Sequence, residues 1–206
     1  MKKLYFRYGA MNCGKSTALM QVAHNYNEKG KKVVVIKSSI DTKADDKLES
    51  RLGIRRPVDI LIDHEESFKP YYNDWKKEKV DCILVDEAQF LSAQQVEELW
   101  YVTKKYEIPV ICYGLKTDFQ SELFEGSKRL IELADELEEL YTICECGSKA
   151  RFNARFVNDN FTLEGDSVLI DGSQSNVEYR PLCGKCYLKN KEKVLKRQNT
   201  VNMKKK

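Results

Sequence analysis

The sequence predicts an α/β fold built on a mostly parallel sheet. Three observations carry this. Short β-branched runs alternate with helical patterns as far as Leu140, a glycine-bounded turn joins the first strand to the first helix, and a later apolar strand ends in two acidic residues. Sheets of this kind bind ligands at the carboxyl ends of their strands.

The elements follow in order. Residues 4–8 form a short β-prone run that stops at Gly9. Residues 15–29 read as a helix with Leu19, Val22, Ala23 and Tyr26 on one face and Gly30 as its stop. Residues 33–36 are a β-branched run, as expected of a strand covered on both faces. Residues 38–56 are polar and aperiodic and predict a mobile loop. Further strands are expected at 58–62, 82–85 and 109–113, and helices at 65–77, 92–106 and 127–140. After Tyr141 short β-like runs and turns take over, bracketed by two close cysteine pairs. The chain therefore divides into an α/β domain at 1–140, a small second domain at 141–190, and a basic tail at 191–206 that predicts disorder.

Composition narrows the classes. The chain has 206 residues, 33% of them charged, and none of its apolar stretches approaches the roughly 20 residues of a membrane helix. The apolar start at Leu4 ends at Arg7, too soon for a secretory leader, so a cytoplasmic protein with no membrane partner is expected. The net charge of +3 resides largely in the lysine-rich tail and implies no nucleic-acid partner. His24 and His64 read as surface residues, and Trp75 and Trp100 as packing groups.

Gly9, Ala10, Met11, Asn12, Cys13, Gly14, Lys15 and Ser16 match G-x-x-x-x-G-K-[ST] in full, between a strand and a helix. Such a P-loop wraps backbone N–H groups around the phosphates of ATP. Lys15 then reaches the β- and γ-phosphates and the Ser16 hydroxyl ligates Mg2+. The strand Cys-Ile-Leu-Val at 82–85 runs into Asp86 and Glu87. Asp86 is the expected second Mg2+ residue. Glu87 is placed to take a proton from an attacking hydroxyl or water, or else to orient a water or cap a helix. Cys144, Cys146, Cys183 and Cys186 form C-x-C and C-x-x-C pairs, which in a reducing compartment suggest a four-thiolate structural Zn2+. Gly147 and Gly184 each follow a cysteine and favour tight turns there. By pattern alone Phe119 and Phe124 read as core residues.

Together these residues resemble the type II thymidine kinases, the family of the cellular tetrameric enzyme. The resemblance runs from Leu4 to Tyr187. It rests on Gly-Ala-Met-Asn-Cys-Gly-Lys-Ser-Thr at 9–17, Val-Asp-Glu-Ala-Gln-Phe at 85–90, Gly-Leu-Lys-Thr-Asp-Phe-Gln at 114–120, and the closing cysteine pairs. It implies a RecA-like P-loop domain and a zinc-bearing lasso that closes over the nucleoside. It also implies transfer of the γ-phosphoryl of ATP to the 5′-hydroxyl of thymidine, with Glu87 as general base. Asp86, Glu87, Ala88 and Gln89 fall on the family's second nucleotide-contact segment, and Asp41 on an acidic Mg2+ residue. Met11, Phe90, Leu115, Phe119, Phe124, Leu169, Ile170, Asp171 and Tyr179 fall on its thymidine pocket, which overrides the core reading of the two phenylalanines. The resemblance further implies a homotetramer and feedback inhibition by dTTP. The first cysteine pair departs from the family's C-x-x-C. One reading from another class stays open on the residues alone: a P-loop ATPase carrying a zinc-ribbon nucleic-acid module, with water as the nucleophile.

Overall fold

The computed structural model describes residues 1–40, 47–49, 53, 55–165 and 176–203. They fall into two units. The first comprises residues 1–9, 14–116 and 123–140; the second comprises 10–13, 117–122 and 141–206.

The first unit is a six-stranded, wholly parallel sheet. Its strands are β1 (Leu4–Tyr8), β2 (Val33–Ser38), β5 (Ile60–Ile62), β6 (Cys82–Asp86), β7 (Val110–Gly114) and β8 (Glu136–Glu139), in the order β5-β2-β6-β7-β1-β8. Strand side chains alternate between the two faces. Leu4, Phe6, Val34, Ile36, Ile83, Val85, Val110 and Cys112 enter one core, with Val96, Leu99 and Val102 of α3 (Ala93–Lys105), Leu130 of α4 (Glu125–Leu133), and Tyr72 and Trp75 of α2 (Tyr72–Lys77). Val33, Val35, Cys82, Leu84, Ile111 and Tyr113 enter the other, with Leu19, Met20 and Ala23 of α1 (Lys15–Glu28). Both faces of the central strands are covered, which is why β2, β6 and β7 are buried along their whole length.

Local chemistry sets the helix ends. Gly30 has φ 66, and the Gly30 and Lys31 N–H groups close onto the Asn27 and Tyr26 carbonyls at 2.9 and 3.0 Å. This double closure needs a left-handed residue, which glycine supplies without a Cβ clash. Ser92 and Gln95 form a reciprocal capping box at the start of α3.

Three sequence expectations for this unit need correcting. Within the stretch expected to be loop, β3 (Lys47–Glu49) pairs antiparallel with β4 (Arg55–Pro57). The helix expected at 65–77 is reduced to a 3-10 turn (Lys69–Tyr71) and the short α2, because Pro70 fits only an N-terminal helical position. The helix expected at 127–140 ends at Leu133, and β8 follows. There Asp135 accepts a hydrogen bond from the Leu4 N–H at 2.8 Å, and pairing with β1 overrides the local helical pattern.

The second unit is a three-stranded antiparallel ribbon, β10-β9-β11, from β9 (Phe152–Val157), β10 (Asn160–Thr162) and β11 (Val177–Leu182). Asn158 and Asp159 turn β9 into β10 at φ 49 and 61, a two-residue turn of the kind Asn and Asp tolerate. Ala150, Ala154, Phe156, Leu182 and Tyr187 form its small core with Cys144 and Cys183. Helix α5 (Gly184–Met203) closes the unit, so the segment expected to be a disordered tail from 191 is helical as far as Met203. Among the described residues no helix is long and apolar enough to cross a membrane.

Candidate active site and metal centre

The P-loop begins where β1 ends. Asn12 and Gly14 adopt left-handed conformations, φ 65 and 80. Gly14 stands at the N-cap of α1 without a side-chain cap, and the first turn of the helix holds no acidic residue. A helix start of this kind favours an anion, through its N–H groups and the helix dipole. Lys15 is buried in that first turn.

Ser16 Oγ donates to Asp86 Oδ2 at 3.0 Å, across the carboxyl ends of β1 and β6. Asp86 is 3% exposed, and its Oδ1 is buried without a hydrogen-bond partner. Burial first, and then the neighbouring Glu87 carboxylate, push the Asp86 carboxyl well above the usual carboxylate range. A hydroxyl beside a carboxylate with one orphaned oxygen is a donor set that suits a hard, oxygen-loving cation, so the residues fit Mg2+.

Glu87 follows in a left-handed conformation, φ 50, which a non-glycine residue adopts only when its surroundings impose it. The surroundings here are a 3-10 turn (Ala88–Phe90) and the buried side chain of Gln89. Gln89 Nε2 donates to Glu87 Oε2 at 2.5 Å, while Gln89 Oε1 accepts from the Leu115 N–H at 3.0 Å. The second bond fixes which end of the amide faces Glu87. Gly114 makes this possible: a Cβ there would lie 2.8 Å from Gln89 Oε1 and 3.0 Å from the Gln89 nitrogen. Gly126 plays a similar part at the start of α4, where a Cβ would lie 2.5 Å from the Ala88 carbonyl oxygen. That close approach lets Phe90 and Phe124 meet edge to face, centroids 5.7 Å apart at 80°.

In the second unit, Met11, Phe119, Val177 and Tyr179 form a separate cluster. Asn153 fixes two of its supports, accepting from the Met11 N–H at 2.8 Å and donating to the Thr117 carbonyl at 2.9 Å. The Tyr187 hydroxyl donates to the Phe119 carbonyl at 2.6 Å.

The four paired cysteines converge. Their Sγ atoms all lie within 4.8 Å of one another, and Cys146 and Cys183 approach to 3.5 Å. Four sulfurs around zinc at about 2.3 Å would be separated by about 3.8 Å, so the set fits a tetrahedral Zn2+. The C-x-C pair reaches this arrangement through a turn at Gly147, φ 84, whose N–H bonds the Cys144 carbonyl. On the other side Cys183 immediately precedes α5, and the Cys186 N–H points to the Cys183 sulfur at 3.5 Å. Hydrogen bonds from Ser148, then from Cys183 and Cys186, hold the Cys146 thiol down at about 6. Those from Cys146, Cys183 and Cys144 push Cys186 up to about 12.

The sequence model of the thymidine kinase family matches residues 2–187. The chain belongs to the thymidine kinase family. The thymidine kinase of Haemophilus influenzae is 47% identical over 191 residues, covering 89% of this chain and 99% of that protein. That of Shewanella oneidensis is 43% identical over 187 residues, covering 90% and 96%. That of Photorhabdus laumondii is 42% identical over 190 residues, covering 91% and 93%.

Of the residues that the thymidine kinase resemblance picked out, the first unit brings Ser16 to Asp86, joins Glu87 to Leu115 through Gln89, and pairs Phe90 with Phe124. The second unit gathers Met11, Phe119 and Tyr179, and the four cysteines. Asp41, Leu169, Ile170 and Asp171 lie outside the described residues. Sequence reasoning overlooked Asn153 and Arg155 of β9. Both are buried, at 3% and 1% exposure, yet their alternation with apolar neighbours looks like an ordinary solvent face.

Proposed function

We propose that this chain transfers the γ-phosphoryl of ATP to the 5′-hydroxyl of thymidine, giving dTMP. The observation that carries the reading is the run Asp86-Glu87 at the end of β6, hydrogen-bonded on one side to Ser16 of the P-loop and on the other to Gln89, in a chain of the thymidine kinase family. The residues from Gly9 to Ser16, with Asp86 to Gln89, contact ATP. Lys15 offsets charge on the transferring phosphoryl. Ser16, Asp86 and Asp41 would hold Mg2+, which when bound supplies charge neutralisation at the phosphates.

Glu87 accepts the proton of the nucleoside hydroxyl as the bond to phosphorus forms. The Gln89 amide occupies one carboxylate oxygen and leaves the other for that proton. Met11, Phe90, Leu115, Phe119, Phe124, Leu169, Ile170, Asp171 and Tyr179 are the proposed thymidine contacts. Zn2+ on Cys144, Cys146, Cys183 and Cys186 is structural, because a four-sulfur set leaves no open position for substrate. A cytoplasmic homotetramer, inhibited by dTTP, completes the reading.

A panel of nucleosides incubated with ATP labelled at the γ-position tests it. Label should pass to thymidine and not to water. Phosphate release that is independent of any nucleoside would instead support the ATPase reading.

A further inference from the structure

Arg155 sits in the middle of β9 and is 1% exposed. Its guanidinium carbon lies 3.5 Å from the centroid of the Phe119 ring, itself 1% exposed, and 5.4 Å from that of Tyr179. Nε donates to the Tyr179 hydroxyl at 2.9 Å, and Nη1 donates to the Glu164 carbonyl at 3.3 Å. Gly165, at φ +103, comes so close that a Cβ would lie 2.9 Å from Nη1. One buried cation thus touches an aromatic ring through its face, a second aromatic through a hydrogen bond, and the backbone at the end of the stretch after β10.

Burying a guanidinium is expensive in desolvation, and an apolar side chain of similar volume would pack this ribbon at lower cost. What an apolar residue cannot do is fix a ring and a hydroxyl at once. The planar guanidinium stacks on Phe119 while its edge donates in a set direction. A lysine would keep the charge but lose both the plane and the fork.

We propose that Arg155 is the positioning residue of the nucleoside site: it sets the Phe119 ring and the Tyr179 hydroxyl in the geometry that recognises the nucleoside. This rests on Phe119 and Tyr179 being nucleoside contacts, as proposed above. Arg155 acts through them and has no part in phosphoryl transfer.

The test is steady-state kinetics on the full, zinc-loaded protein with Arg155→Lys, Tyr179→Phe and the double variant, alongside thermal melting and zinc content. Arg155→Lys should raise the KM for thymidine about tenfold while kcat and the KM for ATP stay within about twofold. Tyr179→Phe should raise the thymidine KM about threefold in the wild-type background and add nothing to Arg155→Lys, because the hydroxyl matters only when the guanidinium holds it. An unchanged thymidine KM in Arg155→Lys overturns the proposal. So does a fall in kcat and ATP affinity in step with thymidine, which would mark a purely structural role, or full additivity in the double variant. Should Arg155→Lys fail to fold, Tyr179→Phe decides alone, with an unchanged thymidine KM counting as refutation. Wild-type turnover separates the two levels: no transfer to thymidine refutes the functional reading, whereas transfer with a normal KM in Arg155→Lys refutes only the role of Arg155.

Discussion

In the sheet unit, the groups proposed for chemistry sit at strand ends gripped from both faces, and they are uncomfortable there. Asp86 is buried with an orphaned oxygen, and Glu87 is held left-handed. In the ribbon unit Phe119 and Tyr179 are not themselves left-handed, although the nearby Ser121 is, at φ 74. Phe119 and Tyr179 are instead held by a buried cation, and the Phe119 carbonyl by the hydroxyl of Tyr187 from the small core. The contrast shows two ways of fixing functional groups. A large two-faced core can hold a costly backbone and an unsatisfied carboxylate, because its packing energy far exceeds those penalties. A three-stranded ribbon has less apolar area, and its proposed recognition residues lean on directional side-chain contacts beside a cysteine cluster that could hold zinc.

If this contrast is right, variants in the two units should fail differently. Lys15→Ala should lower kcat by on the order of 10³-fold while the melting temperature of the nucleotide-free protein is kept, since the sheet core does not depend on Lys15. Near-normal turnover would break the assignment of the P-loop. Cys183→Ser should weaken zinc binding at least about 10–100-fold and raise the thymidine KM, leaving ATP binding, followed by a fluorescent nucleotide, close to wild type. A metal-free protein with normal thymidine KM would contradict the role of zinc.

Subtler changes sharpen the sheet side. Gly114→Ala should destabilise by about 1–3 kcal/mol and lower kcat, because Gln89 must move and its hold on Glu87 is lost. Denaturant unfolding and turnover read the two effects together. Asp86→Asn should do the opposite for stability. Replacing a buried, partly unsatisfied carboxylate with a neutral amide should raise the stability of the nucleotide-free protein by about 1 kcal/mol while abolishing Mg2+-dependent activity. A lower melting temperature would mean that the carboxylate is better satisfied than its buried oxygen implies.

The same contrast explains what was legible in the sequence. The P-loop and Asp86-Glu87 are readable because a phosphate chain and a metal demand particular residues at fixed spacing along one strand–turn–helix. The cysteine pairs are readable for the same reason, although α5 extends well past them where the lysine-rich composition pointed to disorder. Arg155 and Asn153 are not readable, because their partners Phe119, Thr117 and Met11 are remote in sequence and only the folded ribbon brings them together. Gly114 is equally silent: its reason is the Gln89 side chain, not a turn. Residues 127–140 mislead in the other direction, since their helical pattern gives way to pairing with β1.

The proposed division of labour stands or falls most directly on Glu87. Single-turnover transfer from labelled ATP to thymidine should be measured for Glu87→Gln against wild type, with both substrates saturating. A glutamine keeps the size and still accepts from Gln89, but it cannot take the proton. The rate should fall by about 10²–10⁴-fold, with thymidine and ATP affinities little changed. A wild-type rate in that variant, with phosphoryl transfer still limiting, would mean that the proton leaves by another route and that the strained residue at the end of β6 is not the base.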